Sequence, residues 1–137
     1  MLITRETDYA IRALRALSDG SKWTLSKICE KEFVPHQFGY KIMKKLSLAG
    51  FVVIKRGKEG GYIIDESIKD KTLLDLMDVM ENPAGVSPCL DPDYVCEVHQ
   101  GQEDLCAVNI RLSKLQTSLN NELSSINLLD LFAEESA

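Results

Sequence analysis

The 137-residue sequence has no apolar run near the roughly 20 residues needed to cross a bilayer, so no transmembrane helix is expected. Its start, Met1-Leu2-Ile3-Thr4-Arg5-Glu6, lacks the apolar core and small-residue cleavage site of a secretory signal, and a cytoplasmic location is expected. The four cysteines contain no Cys-x-x-Cys pair, the spacing that zinc sites favour. In a reducing compartment they are expected to be thiols, metal ligands or redox sensors rather than structural disulfides. There is no internal repeat and no low-complexity tract. No nucleophile–base pair stands out, and Arg56-Gly57-Lys58-Glu59-Gly60-Gly61 lacks the strand–helix context of a nucleotide site, so an enzyme is not expected.

Basic residues are scarce in the second half. Residues 72–137 hold only Arg111 and Lys114 against 12 acidic residues, whereas residues 1–71 hold 14 basic and 9 acidic ones. The overall charge of -5 therefore hides a net +5 segment followed by a net -10 segment. Such asymmetry suggests a basic contact surface joined to an acidic body. The acidic bulk weakens non-specific attraction to DNA and makes any binding depend on a well-placed basic surface.

What is present begins with helical periodicity. Thr4 can cap a first helix bearing Tyr9, Ala10, Ala13, Leu14 and Leu17 on one face, ended by Asp19-Gly20-Ser21. Thr24 can cap a short second helix through Leu25, Ile28 and Cys29. Pro35 suits the first turn of a third helix, where its missing N–H costs nothing. That helix runs through Phe38, Ile42, Met43 and Leu46 to Ala49, with Gly50 placed to end it. Phe51 to Lys55 and Tyr62 to Ile64 flank a glycine-rich tip and read as a β-hairpin. Three helices and a hairpin are the order of a winged helix-turn-helix, so the expected fold is mainly α with a small β-hairpin.

Thr72 and Asp75 form a capping-box pattern that opens a fourth helix from Leu73 to Met80, broken at Asn82-Pro83-Ala84-Gly85. Residues 82 to about 103 show no sustained period; loops this long inside a compact protein are usually functional or disordered. The last long element carries Leu105, Val108, Leu112, Leu115, Leu119, Glu122 and Ile126 at alternating 3 and 4 spacing. That is a heptad-like seam broken by one polar residue; it could pack on its own domain, but pairing with a second copy of the chain is the favoured expectation. Leu128, Leu129, Leu131 and Phe132 suggest a short terminal helix or hook. The expected division is a DNA-binding unit over 1–71, and a cysteine loop with a dimerisation helix over 72–137.

In a helix-turn-helix the second helix of the pair enters the major groove, its N-terminal residues at base edges. Here His36, Gln37 and Tyr40 sit where bases would be read, with Lys41, Lys44 and Lys45 placed for the backbone. The hairpin tip adds Lys55, Arg56 and Lys58; an Arg on such a wing can enter a narrow minor groove. Cys89, Cys96 and Cys106 are separated by six and nine residues. Three widely spaced thiolates on a loop suit an iron–sulfur cluster that lacks one protein ligand or takes it from elsewhere, although redox-active thiols would look the same. Fourth-ligand candidates are Asp8 and His99, with His36 and Asp104 behind them; sequence distance favours His99. Cys29, beside Ile28, reads as a buried small hydrophobe.

Together these features resemble the IscR/NsrR family (Rrf family) of bacterial regulators over nearly the whole chain. The resemblance rests on Leu2-Ile3-Thr4, Asp8-Tyr9-Ala10, Leu46-x-x-Ala49-Gly50-Phe51-Val52, Arg56-Gly57-x-x-Gly60-Gly61-Tyr62, the three cysteines and the final helix. It implies a homodimer that binds palindromic double-stranded DNA operators, most often as a repressor. It also implies an iron–sulfur cluster held by Cys89, Cys96 and Cys106. In IscR-like members a histidine shortly after the third cysteine completes a two-iron cluster; the matching residue here is Asn109. In NsrR-like members an aspartate of the partner's first helix completes a four-iron cluster, and Asp8 matches it. The resemblance thus favours Asp8 and a four-iron cluster over His99 and a two-iron one. The cysteine intervals are longer than in either subgroup. Cluster-free relatives, the cysteine-metabolism regulators that act through a partner protein, keep a thiol-controlled or partner-controlled regulator open as the alternative.

Overall fold

The computed structural model describes residues 1–102 and 105–133, so Asp104 lies outside the described residues. Helices α1 (Arg5–Leu17), α2 (Leu25–Glu32) and α3 (His36–Leu48) precede a hairpin of β1 (Val52–Lys55) and β2 (Gly61–Ile64). Then come α4 (Leu73–Val79), the long α5 (Ala107–Ser125) and the short α6 (Leu128–Phe132), with 3-10 turns at Glu66–Asp70 and Pro88–Leu90. No helix among the described residues is long and apolar enough to cross a membrane.

The helix starts follow from side-chain capping. The Thr4 hydroxyl accepts from Thr7 N–H at 3.3 Å, and the Thr24 hydroxyl from Lys27 N–H at 3.3 Å. Each satisfies a backbone donor that has no partner within its helix. Thr72 and Asp75 make the reciprocal capping box expected of them. Pro35 sits one position earlier than expected, as the extended N-cap of α3 rather than its first helical residue. Between α2 and α3 the chain turns sharply through Phe33, whose backbone is left-handed at φ 54°. Val34 N–H closes that turn on Cys29 C=O at 3.0 Å, and its side chain enters the core.

The two strands pair antiparallel, Val52 opposite Ile64 and Lys55 opposite Gly61. Trp23 extends the sheet by exchanging backbone hydrogen bonds with Tyr62 at 3.1 and 2.8 Å. A Cβ on Gly61 would stand 2.8 Å from the Trp23 carbonyl oxygen, so only glycine permits this approach. The hairpin is thereby held to the segment just before α2.

The main core joins Tyr9, Leu14 and Leu17 of α1 with Ile28, Ile42, Met43, Leu46 and Phe51. Leu76 and Met80, from α4 and its C-cap, and Leu128 of α6 close the same cluster. A smaller cluster, Leu73, Met77 and Leu123, seats the C-terminal half of α5 on α4. Leu123 is the one residue of α5 that is buried, although it lies off the expected heptad seam. Leu105 precedes the helix, which starts at Ala107 with Cys106 as its cap. Val108 (63% exposed) and Leu115 (54%) leave the seam open to solvent along the N-terminal half.

Candidate nucleic-acid interface and cysteine centre

His36, Gln37, Tyr40, Lys41 and Lys44 are all exposed on α3, while Ile42, Met43 and Leu46 are buried beneath them. Phe38 is turned inward, its ring 5.6 Å from that of Tyr9. The 3.6-residue period thus divides α3 into one apolar face and one polar row. Gly39 lies on the buried side, where an added Cβ would meet Cys29 Sγ at 2.6 Å. Its absence lets α2 and α3 approach closely, and burial among these helices pushes the Cys29 thiol pKa up. Cys29 therefore packs as the sequence suggested.

Two of the lysines expected at phosphates are held by carboxylates of the same chain. Lys41 Nζ lies 3.2 Å from Glu6 on α1, and Lys45 Nζ lies 3.0 Å from Glu81 at the exit of α4. The hydrogen bond from Lys45 holds the Glu81 carboxyl below its ordinary pKa. Sequence reading missed these partners because each pair spans more than thirty positions. Lys55, Arg56 and Lys58 are exposed on the hairpin, around a tip where Gly57 takes φ +109°.

The N-terminus of α1 is fastened to the root of the cysteine loop. Asn82 Oδ1 accepts from Thr4 N–H at 2.9 Å and from the Thr7 hydroxyl at 2.8 Å. Its Nδ2 donates to Leu2 C=O at 2.8 Å. Asn82 and Thr7 are both buried, so every polar atom of this knot needs its partner. In the sequence Asn82 stood out only as part of a helix breaker.

Beyond Asn82 the loop crosses to α5. Gln116 donates to Ala84 C=O at 2.8 Å and accepts from Val86 N–H at 2.8 Å. Asn109, which stands where the resemblance placed a histidine ligand, donates through Nδ2 to Cys89 C=O at 3.3 Å. Its backbone N–H points at Cys106 Sγ, 3.5 Å away. One asparagine thus ties the first and third cysteine segments together. Cys96 Sγ lies 3.7 Å from His99 Nδ1, and the Ser87 hydroxyl lies 3.2 Å from Cys89 Sγ. Cys89, Cys96 and Cys106 are all half-buried, and none forms a disulfide. Among the described residues no three Cys, His, Asp or Glu side chains gather closely enough to hold one metal ion. Asp8, the other candidate ligand, is paired with Arg12 at 3.1 Å on the same helix, and His36 lies exposed on α3.

A family profile described as "Iron-dependent Transcriptional regulator", that of Rrf2, matches residues 3–134. The chain belongs to the Rrf2 family. Membership makes it a transcription regulator of a DNA-binding family rather than an enzyme. Protein aau3 of Rhizobium meliloti (strain 1021) is 28% identical over 133 residues, 96% of this chain and 84% of that protein. Among solved structures, T. potens IscR superposes with a TM-score of 0.67 at 22% identity, covering 94% of this chain and 84% of its own. CymR, the global cysteine regulator of B. subtilis, superposes with a TM-score of 0.72 at 22% identity, covering 98% of each chain. Both likenesses establish the Rrf2 winged-helix fold, mainly helical with one antiparallel hairpin.

Proposed function

We propose that this Rrf2 protein is a cytoplasmic, homodimeric repressor whose grip on a palindromic operator is set by the cysteine loop. In this reading residues 1–71 hold the DNA. His36, Gln37 and Tyr40 face bases, Lys41 and Lys44 face phosphates, and Arg56 and Lys58 of the wing reach the minor groove. Residues 72–137 sense the signal and pair the subunits through the open seam of α5. The Asn82 knot carries the proposal, because it fastens the root of the cysteine loop to the helix that backs α3. A change in the loop is then a change in the DNA-binding unit.

The donor chemistry suits an iron–sulfur cluster: three half-buried thiols outside any disulfide, with an imidazole beside the second. Cys89, Cys96 and Cys106 would hold it, completed by Asp8 of the partner subunit in a four-iron form, or by His99 in a two-iron form. Such a group would supply reactivity towards nitric oxide or oxidants, and its occupancy would follow iron–sulfur supply. The chain's own part is to present the thiols, with Asn109 fixing Cys89 relative to Cys106 and Gln116 fixing the loop's first limb. A second reading, a cluster-free regulator governed by thiol oxidation or a bound partner protein, draws on the separation of the donors in this conformation.

Iron and acid-labile sulfide content, with an absorption spectrum, separates these readings on protein purified without air. About four irons per chain support Asp8 and about two support His99. Absence of iron after reconstitution selects the thiol or partner reading and leaves the DNA surface standing. Cys89→Ala should abolish the response to the signal while leaving the fold intact.

A further inference from the structure

Phe33 combines a left-handed backbone with an exposed apolar side chain. Its backbone is left-handed, φ 54° and ψ 44°, a conformation disfavoured for a bulky L-residue and natural to glycine or asparagine. The residue is 83% exposed, so its side chain recovers little from packing for that strain. Strained residues persist where the surrounding structure over-determines them, and they cluster at functional sites. Here the turn is over-determined: Val34 N–H binds Cys29 C=O, and Val34 is buried on the other side.

The position of the ring names its partner. Phe33 is the hinge residue of the helix-turn-helix, three positions ahead of His36, the first residue of α3. It therefore lies in the turn that leads into the end of α3 that would enter the major groove, a few positions ahead of the exposed His36 and Gln37. The apolar feature presented in that groove is the thymine methyl, which phenylalanine can contact. We propose that Phe33 reads a thymine methyl in each operator half-site, adding an apolar contact to the polar row on α3. This rests on the DNA-binding reading above.

The test uses the full chain and a labelled duplex carrying the palindrome that the wild type enriches from random-sequence DNA. Phe33→Gly relieves the backbone, so its melting temperature should rise while its affinity for that duplex falls roughly tenfold, the scale of one lost base contact. Phe33→Asn also accepts the left-handed backbone but without glycine's freedom, and should lose the same affinity. Replacing thymines singly by deoxyuridine should weaken the wild type at one position per half-site and leave Phe33→Gly indifferent there. Unchanged affinity in both variants overturns the proposal. So does a loss that deoxyuridine does not reproduce, which would mean a sugar–phosphate contact, or a change in oligomeric state alone, which would mean a protein contact. A wild type that enriches no duplex fails the DNA-binding reading itself; enrichment with Phe33→Gly binding equally well fails this contact only.

Discussion

The Thr7 hydroxyl donates to Asn82 Oδ1 at 2.8 Å, joining two buried residues 75 positions apart in the sequence. Asn82→Ala removes the acceptor of Thr7 and of Thr4 N–H, and the donor to Leu2 C=O, in one step. A buried polar group left without its partner costs about 1–3 kcal/mol. Asn82→Ala should therefore lower stability by about 3 kcal/mol, and Thr7→Val by about 1 kcal/mol, since Thr4 N–H still holds Asn82. Urea titration should show lower midpoints with unchanged slopes. Losses of only a few tenths in both would mean that the knot does not bind loop to helix.

Gly39 offers a test of helix packing with opposite signs in two backgrounds. Alanine there gains about 1 kcal/mol of helix propensity. The added methyl, however, would meet Cys29 Sγ at 2.6 Å and Leu25 Cδ1 at 3.2 Å. Overpacking costs about 1–3 kcal/mol, so the single variant should be destabilised. In a Cys29→Ala background the sulfur is gone, and Gly39→Ala should become stabilising. Additive effects across this cycle would contradict the contact.

The winged-helix order was legible because each boundary has a local cause. Thr4, Thr24 and Thr72 cap the helices they precede, and Gly50, at φ +79°, follows α3 where expected. The polar row on α3 was legible for the same reason, a single period dividing exposed from buried residues. What stayed hidden is long-range. Nothing near Asn82 announces Thr7, and nothing near Lys45 announces Glu81. Asn109 was read by what it lacks, an imidazole, whereas its amide and backbone N–H hold two cysteine segments. The seam of α5 was legible as periodicity, but periodicity did not show that its C-terminal members Leu119 and Ile126, with Leu123 from beside it, pack on Leu73 and Met77 of α4.

In the proposed DNA complex, the carboxylates paired with Lys41 and Lys45 would compete with DNA phosphates for the same ammonium groups. Glu81→Gln frees Lys45, and operator affinity should rise, with a salt dependence steeper by about one unit for one added phosphate contact. The pH sense follows from the lowered Glu81 pKa. The Lys45–Glu81 link is complete above the ordinary carboxylate value and is lost as pH falls through the lower folded-state value. Acidification should thus release Lys45 in the wild type and change nothing at this pair in Glu81→Gln. An affinity for DNA that is equal in the two proteins at neutral pH would show that Lys45 never reaches a phosphate.

Subunit pairing is testable because α5 separates its two roles along its length: its C-terminal half packs on α4, while Val108 and Leu115 of its N-terminal half stay exposed. Leu123 is buried against Leu73 and Met77, so Leu123→Ala should cost about 2–5 kcal/mol of fold stability through the cavity it leaves. Leu115, half exposed in the single chain, touches no such cluster, and Leu115→Glu should leave the fold of the protomer intact. Placed in a paired seam, however, the same carboxylate would be desolvated beside Val108 and Leu112, which association cannot offset. Sedimentation should then show a monomer. A two-fold operator needs two recognition helices about one helical turn apart, so the monomer should lose specific binding while keeping weak, salt-sensitive attraction to any duplex. A Leu115→Glu protein that still sediments as a dimer would place the interface on another surface of the chain.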